Sequence, residues 1–474
     1  MNKAIPSAED FSRAAKALID GGAASTFEAA TQILEQACPS IVAGPDAMAH
    51  AHQAALLTSV ETTVRAFGHA LVHLPPEVAA AACSLPGHNH STVRDAVTEA
   101  GGELVELDET LATSAPTIII GKATVSREMT LQVTWDQWFA HVDVDGLRLP
   151  ERGNMILAAV AAAALAVTEC FKRALGQLEA CRRNRSLNLW RPELNDYPWE
   201  MASPRDELIG PSLRHLPQAV WFVGLGHLGQ GYAWCWRLLP YADPSQCHIQ
   251  LQDFDRVNHA NRSTGMFVRD GDERRMKTRV ISEALEGAGF ITRIVERRLL
   301  PETRRDSTEP ALALIGVDKV EPRRLISDVG WSFAVDVGLG GGPTDFTGIN
   351  VHTFPAPTSS NNVAAWNAPR TSQRAARARE QKAYLSAQAD GADACGLVQL
   401  AETSVAAPFV GVVAACIAVA EPLRALHGHH PHLTLAFDAG RTRPPRSTTG
   451  DETPRIAFVP AQASSNPQSL TSTP

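Results

Sequence analysis

Residues 220–229 read Val-Trp-Phe-Val-Gly-Leu-Gly-His-Leu-Gly, and residues 251–257 read Leu-Gln-Asp-Phe-Asp-Arg-Val. The first string is an apolar strand that enters a glycine-rich turn. The second is a strand that closes on two acids, Asp253 and Asp255. A strand, a turn carrying Gly224, Gly226 and Gly229, and a following helix form a nucleotide pocket, with phosphates over the glycines and ribose on the carboxylate at the end of the next strand. Glycine lets a phosphate approach the backbone closely, and a helix start offers unpaired N–H groups and the positive end of a dipole. Taken alone, the same string also fits a tight strand-to-helix turn with no ligand.

Outward from this unit, strand-like runs recur at 248–252, 311–316 and 333–337, alternating with helical stretches. That alternation predicts an α/β fold: a Rossmann-like, mostly parallel sheet with helices on both faces. Upstream, residues 1 to about 80 are Ala-rich with helical spacing and little strand signal, and runs at 103–108 and 117–121 read as strands. Leu157 to Leu175 reads as a helix that is apolar nearly all round, hence buried, and a second such helix runs from Ala406 to Leu426. The expected organisation is an N-terminal α/β companion domain at 1–182, a connector at 183–215 and a nucleotide-binding core at 216–355. A polar crossover loop at 356–394, the remainder of the core at 395–440 and a mostly disordered tail at 441–474, with a strand at 456–459, complete it. Residues 166–176 and 418–428 both close an Ala-rich helix on a glycine. They read either as ordinary small-residue packing or as a degenerate duplication whose N-terminal copy has lost its nucleotide loop.

At 474 residues the chain is long for one domain, and 44% apolar with 20% charged residues is the profile of a folded protein. A net charge of −8 argues against nucleic acid as a partner. The first ten residues have no apolar core, and the apolar run from Met155 to Val167 is too short to span a bilayer, so no membrane is expected. Eight cysteines without a Cys-x-x-Cys pair indicate neither zinc nor a disulfide framework, and a reduced, cytoplasmic protein is expected.

The residues after the two acids narrow the nucleotide. Residues 255–262 read Asp-Arg-Val-Asn-His-Ala-Asn-Arg, Lys277 lies on the next predicted helix, and another strand ends Ile-Gly-Val-Asp at Asp318. Each residue alone reads as a solvated surface charge. Asn261, Arg262, Lys277 and Asp318 at successive strand ends of one unit suit a triphosphate better than a dinucleotide. The cations offset phosphate charge, and a carboxylate suits Mg²⁺. Other conspicuous features read as structural: His427, His429, His430 and His432 as a solvated turn, Gly338 to Gly342 as a bend, and Arg374 to Arg379 as an exposed loop face.

The order Gly-x-Gly-x-x-Gly, Asp-x-Asp-x-Val-x-x-x-Asn, a lysine and a strand-end Asp resembles the ThiF/MoeB/ubiquitin-activating (E1-like) superfamily over residues 216–355. A second match lies in 395–428, where Cys-Gly precedes Val-Ala-Ala-Pro-Phe-Val-Gly-Val-Val-Ala-Ala. The resemblance implies Mg·ATP-dependent adenylation of the C-terminal carboxylate of a ubiquitin-like or sulfur-carrier protein, often followed by acyl transfer to the enzyme's own cysteine. Carried over by position, Asp253 binds ribose hydroxyls, Asp255 supports the pocket, Asn261 and Lys277 contact phosphates, and Asp318 binds Mg²⁺. The family usually has an arginine three residues after the Asn; here Thr264 stands there, and Arg262 is the candidate substitute. Arg191 is one candidate for the arginine that many members take from a companion domain or partner subunit. Cys395, in Gly-Ala-Asp-Ala-Cys-Gly ahead of a helix, is the candidate thioester nucleophile, because a thiol near a helix start has a lowered pKa. Cys235 and Cys416 sit in apolar helical sequence and read as core. The N-terminal region is expected as a degenerate copy standing in for a second subunit, giving a pseudo-dimer if not a homodimer, with a conjugating enzyme as a further partner. The alternatives are adenylation for sulfur-carrier chemistry, an NAD-dependent oxidoreductase, and a noncatalytic scaffold.

Overall fold

The computed structural model describes residues 12–88, 91–110, 114–194, 206–340, 342, 344–367, 382–389, 404–441 and 445–462. Two large sheets organise them. The first contains β1 (Ser40–Ala43), β2 (Leu71–His73), β3 (Glu103–Leu104), β4 (Thr117–Ile120), β5 (Thr130–Asp136), β6 (Phe139–Asp143) and β7 (Arg185–Asn188), in the order β3-β2-β1-β4-β5-β6-β7. After β8 (His215–Pro217), the second contains β9 (Ala219–Val223), β10 (His248–Gln252), β11 (Ile291–Val295), β12 (Leu312–Ile315), β13 (Phe333–Leu339), β14 (Gly348–Phe354), β15 (His432–Asp438) and β16 (Arg446–Thr449), in the order β11-β10-β9-β12-β13-β14-β15-β16. β17 (Phe458–Pro460) pairs with β8. In each sheet the first five strands in spatial order are parallel and the next two antiparallel. The fold is therefore α/β, as expected, and the two sheets share one topology over seven strands.

Several strands depart from the sequence reading. β1 (Ser-Ile-Val-Ala) and β4 (Thr-Ile-Ile-Ile) are buried at every position, because parallel strands are covered on both faces and show no alternation. For that reason β1 shows no clear strand signal, and β2, which is buried only at Val72, is too short at three residues to show one. The run expected as a strand at 103–108 is a strand only at Glu103–Leu104 and continues into a helical turn at Leu107–Thr110. β7 arises from the stretch expected as a connector and β16 from the stretch expected as a disordered tail, whereas β17 falls on the strand expected at 456–459.

Four helices fill the space between the sheets. His50–Phe67 and Ile156–Ala174 lie on the first sheet, His227–Arg237 and Pro408–Leu426 on the second, and the two long apolar helices pack on each other. Alanine and glycine allow close crossings: a Cβ on Gly231 would lie 2.9 Å from the Gly411 carbonyl. One continuous apolar core runs through both halves, from Ile41 and Val60 to Phe222 and Ile417. Among the described residues, Pro408–Leu426 is the one helix long and apolar enough to cross a membrane, and 94% of its apolar window is buried in this core.

Candidate nucleotide site

The turn after β9 is built by its glycines for different reasons. Gly224 has φ +83°, which favours glycine, and its Cβ would lie 3.0 Å from the Gly316 carbonyl carbon at the end of β12. Gly229 is required by close approach, since its Cβ would lie 1.9 Å from the Gly224 oxygen. Gly226, the N-cap of the helix His227–Arg237, has an ordinary φ of −73°, and its Cβ would meet nothing within 4 Å. Among the described residues no side chain caps the start of this helix. Its first-turn amides therefore lack an N-cap side-chain acceptor, the arrangement that suits a phosphate.

Asp253 follows β10 and is 7% exposed. One of its carboxylate oxygens accepts the Leu225 amide at 2.6 Å and the other accepts the Asp255 amide at 2.8 Å. The acid is thus locked to the glycine turn, with lone pairs left for hydroxyl donors. Lys277 opens the helix Lys277–Gly287, is 8% exposed, and donates from Nζ to Asp255 Oδ2 at 3.1 Å. Asn261 and Asn258 form a reciprocal cap on the 3-10 turn His259–Ser263, with backbone-to-side-chain bonds of 3.2 and 3.0 Å. Asp318 stands exposed three residues beyond the end of β12.

Arg262 points elsewhere: it is 41% exposed and pairs with Asp270, which is 82% exposed. Arg191 pairs with Glu193 at 2.8 Å beside the C-terminal end of Pro408–Leu426. The N-terminal end of that helix meets the glycine turn, because His227 donates from Nε2 to the Ala407 carbonyl at 2.8 Å. A helix of 19 residues separates the two ends by roughly 28 Å, so Arg191 lies away from the turn. Burial pushes the His227 pKa down to about 4, so the ring is neutral at the turn.

Sequence reading missed Arg323. Its guanidinium lies across the ends of β12 and β13, donating to the Val317 carbonyl at 2.7 Å and the Val337 carbonyl at 3.1 Å, with the fully buried Asp336 at 3.4 Å. Burial pushes the Asp336 carboxyl up to about 6 against the opposing pull of Arg323. Arg323 follows Asp318 by five residues, a spacing with no signal of its own until β13 is placed beside β12.

Cys395 lies outside the described residues. The other seven cysteines are buried, except Cys83, which is half-buried. Burial pushes Cys38 up to about 12 and Cys247 up to about 11. The helix Lys382–Ala389, on the crossover segment, is fixed to the N-terminal half: Tyr384 donates to Asp20 at 2.8 Å and sets its ring edge-on to Phe27. The histidine cluster is not a solvated turn throughout, because His432 is 1% exposed and bonded to Glu421 at 2.7 Å.

In the first sheet the turn after β1 holds the equivalent place. A Cβ on Gly44 would lie 2.5 Å from the Lys122 backbone beyond β4, as Gly224 abuts Gly316. Here, however, Pro45 comes next, and Asp46 accepts the Lys122 amide at 2.6 Å. Asp46, His52 and Glu151 place ligand-type atoms within 4.8 Å of one another. Arg148 pairs with both acids, at 2.8 Å from Asp46, and fills the cluster with compensating charge.

Comparison with known proteins gives two family matches: residues 40–189 match the BilD N-terminal domain, and residues 216–429 the BilD C-terminal domain. The bacterial E1-like protein BilD of Collimonas sp. (strain OK412) is 37% identical over 438 residues, covering 91% of this chain and 91% of that protein. Among solved structures, E. coli tRNA N6-threonylcarbamoyladenosine dehydratase, TcdA, is 20% identical, with 26% of this chain and 53% of that chain covered and a TM-score of 0.23. The chain thus spans about half of TcdA. PaaA is 15% identical over 49% of this chain and 72% of its own, with a TM-score of 0.30.

Proposed function

This chain belongs to the family of bacterial E1-like proteins that includes BilD, and on that footing we propose that it uses ATP to adenylate the C-terminal carboxylate of a ubiquitin-like protein. The observation that carries this reading is the turn after β9. There an uncapped helix start, an open Gly226 and the clamped Asp253 carboxylate converge, with Lys277 bonded to Asp255 after β10 and Asp318 just beyond β12. The helix amides receive phosphate oxygens, Asp253 accepts the ribose hydroxyls, and Lys277 offsets phosphate charge. Mg²⁺, when bound, would neutralise charge on the triphosphate, and Asp318 would be its carboxylate ligand.

In the reaction a carboxylate oxygen of the protein tail attacks the α-phosphorus. The bond to the β-phosphate oxygen breaks, and pyrophosphate leaves with that electron pair. The acyl-AMP then has a good leaving group where free carboxylate has none. The residues' task is to hold the carboxylate in line and to offset charge at phosphorus. For the second step, the Cys395 thiolate attacks the acyl carbon and AMP departs. Supporting this role, six of the other seven cysteines are buried and the seventh is half-buried. The N-terminal half acts as an inactive copy of the adenylation fold. Its topology matches, but Pro45 removes an amide donor and Asp46 puts negative charge where a phosphate would lie.

The test is ATP–pyrophosphate exchange. Asp318 is exposed, so Asp318→Ala is expected to abolish exchange and leave the unfolding curve unchanged. Near-normal exchange would remove Asp318 from the site. Incubated with its carrier protein, the wild-type chain is expected to form a thiol-labile adduct that Cys395→Ser lacks. Tight NADH binding without exchange would favour an oxidoreductase, a reading that gives Lys277 and Asp318 no task.

A further inference from the structure

We propose that Arg65, on the helix His50–Phe67 of the N-terminal half, is a positioning residue for the nucleotide site of the C-terminal half. It holds residues 264–268 against the glycine turn and so sets where Asn261 stands. The inference rests on reading that turn as the nucleotide site. Arg65 is buried, with its side chain 4% exposed. Its Nε donates to the Gly265 carbonyl at 2.6 Å, and Nη2 donates to the carbonyls of Met266 at 2.9 Å and Val268 at 3.4 Å. Residues 264–268 are buried and lie in neither helix nor strand, so these carbonyls have no ladder to satisfy them. The remaining nitrogen, Nη1, donates to Glu61, whose carboxylate also receives Arg269 from the C-terminal half.

The same segment is held from the opposite side by the helix that starts in the glycine turn. Gln230 accepts the Phe267 amide at 3.0 Å and donates to the Leu225 carbonyl, inside the turn, at 3.4 Å. A Cβ on Gly265 would lie 2.6 Å from the Gln230 amide group, so the two pieces of chain are in close contact. Gly265 in turn donates its amide to the Asn261 carbonyl at 2.8 Å. The chain of contacts therefore runs from Arg65 through residues 265–267 to Asn261 on one side and Leu225 on the other. An ion pair with Glu61 alone would need none of the three carbonyl bonds. A planar guanidinium with five donors can serve three carbonyls and a carboxylate together, which a lysine ammonium cannot.

The experiment uses the full chain with Arg65→Met and Arg65→Lys, followed by amide hydrogen exchange and by ATP–pyrophosphate exchange kinetics. In Arg65→Met, amides 261–268 are expected to exchange at least about tenfold faster, while those of β9 and β12 keep their wild-type rates. KM for ATP should rise about tenfold with kcat within about twofold, and Arg65→Lys should fall between. Unchanged protection at 261–268 would overturn the proposal, as would a loss shared equally by β9 and β12, or a fall in kcat at constant KM. If the wild-type chain shows no pyrophosphate exchange, adenylation fails as the function, and amide exchange alone decides. Faster exchange confined to 261–268 then upholds the clamp, and wild-type rates there reject it.

Discussion

Gly226 and Gly229 lie three residues apart and meet opposite constraints. At Gly229 a methyl group would overlap the Gly224 oxygen, and the backbone would have to move. Gly229→Ala is expected to cost about 2 kcal/mol or more in urea unfolding. At Gly226 the space is open and φ is ordinary, so Gly226→Ala should change stability by less than about 0.5 kcal/mol. The same methyl would stand where a phosphate approaches the helix amides, and ATP affinity should fall at least about tenfold. Undiminished ATP binding by Gly226→Ala would place the phosphates elsewhere. Asp253, the other fixed point, owes its position to the Leu225 amide, a contact the two motifs imply but do not state.

At the scale of elements, the junction between the helix Pro408–Leu426 and β15 is a buried ionic network. Glu421 accepts the His432 amide at 2.9 Å and the His432 ring at 2.7 Å, and Arg424 donates to it at 3.1 Å. Burial opposes ionisation of Glu421, but Arg424 and His432 outweigh it and hold the carboxyl at about 2. Burial likewise opposes charge on His432, and Glu421 with Glu193 outweighs it, so the His432 pKa is raised. A raised histidine contributes stability that is complete below its unfolded pKa and is lost as pH rises through the folded value. The stability lost in His432→Gln should therefore be larger near pH 5.5 than near pH 9, compared by urea unfolding about one to two units either side of the histidine range. A loss that grows with pH would show that His432 is neutral in the fold. This network ties the helix that meets the glycine turn to the antiparallel edge of the second sheet.

Across the whole molecule, the two halves share strand order, pairing sense and a single apolar core, with four helices between the sheets. Neither half closes its own core, because Ile156–Ala174 and Pro408–Leu426 cover each other. Urea unfolding followed by far-UV circular dichroism and by tryptophan fluorescence should give one coincident transition. Two separable transitions would mean that each half folds alone. The Arg65 contacts cross the same boundary, joining residues 200 positions apart.

The sequence by itself determined the turn at 224–229, the acids at 253 and 255, and the α/β class. These features depend on short-range needs: a positive φ, a missing Cβ, an apolar run ending in a carboxylate. It left β1 and β2 unread: β1, buried at all four positions, lacks the alternation that marks a strand, and β2 is only three residues long. Arg323, the Arg65 clamp and the Asp46–Arg148 network were decided by tertiary structure alone. Each consists of ordinary charged residues whose partners lie on other strands or in the other half. A buried charge acquires its meaning only from what desolvates and pairs it.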